Sequence, residues 1–345
     1  MGYSLNAVQA EAVLQALKQN YSVYAPKRFP KQGRYSDTDV IKYAEVEHYE
    51  DIVWQVKSDY PAKEVLTPIQ QAIFYFTEDE YRASKGPKKP ILILARPCDI
   101  NAQHVQAKIY AGNGGYTDLY YERMREKVKF ALMECNGGDD TCFCVSMGTN
   151  KTDDYSLALK FSDEGVQVQV TDETFAPYFE GMPQAGYTPA FVEENELKVT
   201  VPDLDDKAVR LALKSHPMWK EFDGRCISCG ACTVACSTCT CFTTRDVIYG
   251  DNPEVGERRR VTASCQIAGF DQMAGQREFR STAGERMRYK LLHKFHDYKA
   301  RFGEQHMCVG CGRCTHRCPE LISISATVNK VNAAVNEIKA GLAQQ

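Results

Sequence analysis

Two cysteine runs, far apart in the chain, limit what it can fold into. The first is Cys226-x-x-Cys229-x-x-Cys232-x-x-x-Cys236, and the second is Cys308-x-x-Cys311-x-x-Cys314-x-x-x-Cys318-Pro319. Each has the spacing by which three close thiolates hold three corners of a [4Fe–4S] cube while a fourth cysteine points away, toward the other cluster of a two-cluster protein. The spacing therefore predicts crossed ligand sets: Cys226, Cys229, Cys232 and Cys318 for one cluster, and Cys308, Cys311, Cys314 and Cys236 for the other. Crossing would clamp two distant segments together, so the second half of the chain should fold poorly without iron. Structural zinc is the competing reading. It asks for four ligands around one ion, usually as two separated pairs, and three cysteines within seven residues suit a cube better.

The runs lie 71 residues apart (237–307). A compact hairpin ferredoxin does not accommodate that insert, so a mainly helical two-cluster domain is expected over 216–345. Gly230, Gly310 and Gly312 supply tight backbone beside the ligands. Ser237 stands where a proline commonly follows the fourth cysteine. Arg225, Arg313 and Arg317 flank ligands and could offset cluster charge or form a solvated basic face. His293, His296, His306 and His316 read as surface or packing residues.

The first part, 1–215, reads as an α/β domain. Residues 91–95 and 128–133 are short continuous apolar runs, as in strands buried on both faces of a parallel sheet. A helix is expected over 99–110. Sites in open α/β sheets form beyond the carboxyl ends of strands. That places Cys98 and Cys135 on one edge, with Cys142 and Cys144 in a nearby Gly/Asp loop. These four cysteines are a third cluster site, a zinc site or buried thiols. Cys239, Cys241 and Cys265 are open between alternative ligands, core packing and a partner contact. Other expected elements are helices over 5–19, 67–76, 204–215, 283–301 and 322–342. Strands are expected over 21–29, 155–161, 166–170, 197–201 and 241–249.

Several function classes drop out. A net charge of −3 gives no nucleic-acid signature. No apolar run approaches the ~18 residues of a membrane span. The first residues lack the basic and apolar regions of a signal peptide, and 15 cysteines in such a chain point to a reducing, cytoplasmic setting. No G-x-G-x-x-G follows a strand, so this chain is expected to bind neither flavin nor NAD.

Arg96-Pro97-Cys98-Asp99, the 141–148 stretch Thr-Cys-Phe-Cys-Val-Ser-Met-Gly, and the first run through Cys239-Thr240-Cys241-Phe242 together resemble the family of anaerobic sulfite reductase A subunits. That family's wider group includes the iron–sulfur β subunits of soluble sulfhydrogenases. The resemblance implies a cytoplasmic three-subunit enzyme in which this chain carries electrons. A flavin/NADH-binding subunit would supply them and a sirohaem-containing sulfite reductase subunit would use them. It also implies a further cluster at Cys98, Cys135, Cys142 and Cys144.

Overall fold

The computed structural model describes residues 1–303 and 305–344; Gln345, the end of the expected second domain, lies outside them. A seven-stranded mixed sheet dominates the first half. Its strands are β1 (Gly2–Leu5), β2 (Ser22–Phe29), β3 (Val40–Glu45), β6 (Ile91–Ala95), β7 (Val128–Met133), β8 (Leu157–Ser162) and β9 (Gly165–Val170), in the order β1-β9-β8-β7-β6-β2-β3. Pairs β2–β6, β6–β7 and β7–β8 are parallel, and β3, β9 and β1 close the edges antiparallel. All five residues of β6 are buried. Leu92 and Leu94 pack under the Ala7–Asn20 helix, whereas Ile91, Ile93 and Ala95 join Ile100 and Tyr110 of the Pro97–Tyr110 helix on the other face. Period-two alternation thus feeds two cores, as a doubly covered strand requires.

A second sheet corrects two expectations. Residues 67–76, expected as a helix, contain strand β4 (Gln70–Phe76). It pairs with β5 (Tyr81–Ala83) and with β11 (Gly256–Thr262), and β11 pairs with β10 (Phe242–Ile248), giving the order β10-β11-β4-β5. The second half therefore contributes a hairpin to a sheet shared with the first, and it is not simply helical. Residues 197–201 form no strand: Val199 N–H donates to the Ser146 hydroxyl (3.0 Å), and Thr200 N–H donates to the Asn329 side chain (2.9 Å).

Three helices frame the second half. Ala283–Leu292 starts with a capping box between Thr282 and Glu285, and continues through a π-turn at His293–Asp297. Ile324–Leu342 is capped by Ser323. Lys207–Lys214, at the end of the expected first domain, buries Val209 and Leu213 in this second core. That core also holds Trp219, Phe222, Met287, Leu291 and Val328, and takes in Phe143 from the first half. Among the described residues no helix is long and apolar enough to cross a membrane.

Candidate iron–sulfur centres

The polypeptide places the two runs face to face. Cys226, Cys229, Cys232 and Cys318 line one cavity, together with Cys314, Gly230 and Lys290. Cys236, Cys308, Cys311 and Cys314 line a second, with Ser237, Lys290 and Lys294. Lys290, Cys314 and Ile324 belong to both walls, so the cavities are neighbours. The glycine positions explain how the runs turn so tightly. Gly230 and Gly312, at φ 78° and 69°, are the N-caps of the short Ala231–Val234 and Arg313–His316 helices, a left-handed backbone that favours glycine.

Burial pushes Cys308 up to about 12 and raises Cys226 and Cys314 above the ordinary thiol value, with Lys294 acting against it at Cys308 and Lys290 at Cys314. The cavities meet this with cations. Lys290 and Lys294 are 3% exposed and Lys63 is 5% exposed. Among the described residues their ammonium groups reach neutral acceptors alone: Lys290 the Cys232 carbonyl (3.0 Å), Lys294 the Thr238 hydroxyl (3.1 Å), and Lys63 the carbonyls of Thr233 (3.3 Å) and Cys239 (3.1 Å). Burial alone acts to lower the Lys290 and Lys294 pKa values. The surrounding cysteines, as thiolates, reverse this and hold both ammonium groups well above the usual lysine range. Buried cations without a carboxylate are costly unless an anion sits beside them. Cavities ringed by thiolates and faced by ammonium groups fit an iron–sulfur cluster, a buried anion.

The four cysteines of the first half follow strands β6 and β7 in the chain. Cys98 lies in the first turn of the Pro97–Tyr110 helix, and Cys135 lies just past β7. The Arg96 guanidinium reaches the Cys135 sulfur (3.6 Å). Lys57 reaches the Cys142 sulfur (3.5 Å), Asp139 (2.7 Å) and the Cys311 carbonyl (2.9 Å). Cys144 donates to the Asn195 side-chain oxygen (3.5 Å). Burial raises Cys98 and Cys144, and pushes Cys142 up to about 11.

This group abuts the second run. Phe143 N–H donates to the Gly310 carbonyl (2.8 Å), and Thr149 Oγ1 donates to the Val309 carbonyl (2.7 Å). A Cβ on Gly310 would come within 2.5 Å of the Phe143 carbonyl. Arg313 ties the groups together: it is 1% exposed, forks onto both Asp99 oxygens at 2.7 Å, and reaches Ser58 and the Ser237 hydroxyl (3.0 Å). Ser237 in turn meets the Cys311 sulfur (3.4 Å). The residue that departs from the usual proline thus links a predicted ligand to Arg313.

Arg313 is therefore buried structure and no solvated face. Arg317 stacks on Tyr60 and reaches Asp59, while Arg225 pairs with the nearby Glu221 at the surface. His293 stacks on Tyr289, His296 pairs with Asp297, and His306 packs against Phe295. His316 is half-exposed near Asp59. Cys239 and Cys265 are buried, and Cys241 is half-buried. Sequence reasoning missed Lys57, Lys63, Lys290 and Lys294. The only hint is that Lys290 and Lys294, four apart on a helix, take core-facing positions beside Met287 and Leu291.

Residues 225–322 match a family of 4Fe-4S dicluster domains. Over 340 residues the chain is 26% identical to Sulfhydrogenase 2 subunit beta of Pyrococcus furiosus, covering 91% of this chain and 93% of that protein. No solved structure matches it.

Proposed function

We propose that the chain is the electron-relay subunit of a multi-subunit cytoplasmic oxidoreductase. It would hold one [4Fe–4S] cluster at Cys226, Cys229, Cys232 and Cys318, and a second at Cys308, Cys311, Cys314 and Cys236. A third cluster belongs at Cys98, Cys135, Cys142 and Cys144. The observation that carries this reading is the pair of adjoining four-cysteine cavities with buried, carboxylate-free Lys290 and Lys294 on their walls. Such clusters supply reversible one-electron transfer. Lys290, Lys294 and Lys63 lower the cost of adding an electron there, and Ile324 lines the wall that both cavities share. Arg313 holds the sheet edge against the second run, so the third group continues the same path.

The partners are a flavin/NADH-binding subunit as donor and a sirohaem-containing sulfite-reducing subunit as acceptor. The motif resemblance at Cys98, Cys142, Cys144 and the first run supports this. A second reading, a relay in a hydrogenase complex, draws on the likeness to a sulfhydrogenase subunit. Anaerobic purification from the native host with counts of iron, acid-labile sulfide, sirohaem and nickel tests both. About twelve irons per chain, with sirohaem in the co-purifying protein, are expected. Fewer than about eight irons refute the paired clusters, and nickel without sirohaem selects the hydrogenase reading.

A further inference from the structure

The first cavity has one wall turned outward. Of the fifteen cysteines, Cys229 alone is exposed. Large apolar side chains stand uncovered around it: Ile227 is 60% exposed, Ile267 46% and Leu321 74%. Ile227 lines the cavity with Cys229, and Leu321 lies between two other lining residues, Glu320 and Ile322. Ile267 reaches the same wall from a third segment, since a Cβ on Gly230 would come within 3.1 Å of its Cδ1. Leu321 carries a second cost besides exposure. Its N–H closes a turn onto the Cys318 carbonyl (3.3 Å) with a left-handed φ of 50°, a strained backbone for any residue but glycine. Arg286, buried, holds this rim in place. Its guanidinium donates to the Ser228 hydroxyl (2.9 Å) next to Cys229 and to the Gln266 carbonyl (3.1 Å) next to Ile267. The charge of the wall is one-sided. The cation that lines the cavity, Lys290, is buried, whereas Glu320 is exposed and has no ion pair among the described residues.

The geometry points to the rim of Ile227, Ile267 and Leu321 around Cys229 as the docking face for the subunit that holds the catalytic metal centre. Under the relay reading, on which this inference rests, that is the sirohaem-containing subunit. Position along the chain of sites selects it over the electron donor. The 141–144 loop bonds to the second run at Gly310, the second cavity shares Lys290, Cys314 and Ile324 with the first, and the first opens outward at Cys229. The Cys229 wall is therefore the outer end of the path. An apolar rim held rigid suits a lasting subunit interface, which is more apolar than a transient one. Cys229 and Glu320 call for a basic group on the partner's face to complement them. Each transfer moves one electron out of the cluster held by Cys226, Cys229, Cys232 and Cys318, which is oxidised, into the partner's metal centre, which is reduced; no bond forms or breaks.

The test uses the intact multi-subunit enzyme, purified anaerobically from its host. A photo-activated cross-linking residue at position 267 is expected to join this chain to the sirohaem-containing subunit. Leu321→Gly deletes the side chain and suits the left-handed backbone. It should weaken that subunit's binding about ten- to hundredfold, the loss of one buried leucine, without lowering the iron content or the denaturation midpoint of the full chain. Leu321→Glu sets a second carboxylate beside Glu320 and should weaken binding further. In both variants dithionite should reduce the clusters at the parent rate, while electrons reach the sirohaem more slowly. A cross-link to the flavin/NADH-binding subunit or to a second copy of this chain overturns the proposal, as does parent-like binding in both variants. The underlying reading fails separately. Fewer than about eight irons per chain overturns the paired clusters, and with them the electron transfer, whatever the cross-link. Nickel in place of sirohaem in the cross-linked subunit overturns the sulfite reading and upholds the docking face.

Discussion

Lys290 offers a direct measure of how the protein sets the charge of its clusters. Lys290 lines both cavities and is 3% exposed, and among the described residues its ammonium bonds to the Cys232 carbonyl alone. Lys290→Met keeps the length of the side chain and removes the charge. At roughly 6 Å from a cluster centre and an effective dielectric constant of about 20, one charge changes the energy of an added electron by about 3 kcal/mol. At 59 mV per tenfold for one electron, that is about 120 mV toward negative potential. Relaxation and water entry reduce it, so about 60–120 mV is expected, with both clusters of the pair affected. Lys290→Arg, which keeps the charge, should restore most of the shift. The assay is an anaerobic redox titration followed by electron paramagnetic resonance, with iron counted in each variant. Potentials within about 20 mV of the parent, at full iron content, would refute the claim that Lys290 compensates the clusters.

Crossed ligation predicts that Cys318→Ala damages the cluster of Cys226, Cys229 and Cys232 and spares the one next to it in sequence; resonance spectra showing the opposite loss would reverse the assignment. Gly312→Ala places a methyl group against the Thr141 backbone at a φ of 69°. It should destabilise the fold by about 1–3 kcal/mol or more, read by denaturant midpoint, and loosen the 141–144 loop in hydrogen exchange. Asp99→Asn leaves Arg313 charged and buried, at about 3–5 kcal/mol; combining it with Arg313→Met should recover part of that loss, and strict additivity would show that the pair is uncoupled.

The cysteine spacing made the 4Fe-4S dicluster domain legible, because ligand spacing is a local feature of the chain, with glycine where a side chain would collide. The buried strands β6 and β7 were legible for a similar reason, since a short apolar run between prolines or loops has few other fates. Strand β4 was not. Gln70–Phe76 carries apolar residues at positions that suit a helix, and its partners lie at Tyr81–Ala83 and some 180 residues away at Gly256–Thr262. Strand preference depends on such neighbours more than on the segment itself. The lysines were invisible for a related reason. A lysine in sequence reads as surface, and only the fold shows that Lys57, Lys63, Lys290 and Lys294 turn inward toward cysteines. Ser237 read as a flaw in a motif until its hydroxyl was seen against Cys311 and Arg313.

The distribution of buried charge gives the relay a direction. Around Cys98, Cys135, Cys142 and Cys144, two of the cations are already matched: Lys57 by Asp139 at 2.7 Å and Arg313 by Asp99 at 2.7 Å. Arg96 reaches Cys135 and a backbone carbonyl. Around the paired cavities, Lys290, Lys294 and Lys63 face cysteines and neutral acceptors with no ion pair among the described residues. Unmatched positive charge favours the added electron more than matched charge does. The site at the sheet edge should therefore have the lowest potential of the three, and electrons entering there would move downhill toward the cavities that Lys290 joins. Asp139→Asn frees Lys57 from its partner, so it should raise the potential of the edge site and narrow the gap. The same resonance titration reads this. An edge site with the highest potential, or one that does not respond to Asp139→Asn while its iron is retained, would show that matched and unmatched cations do not set the order.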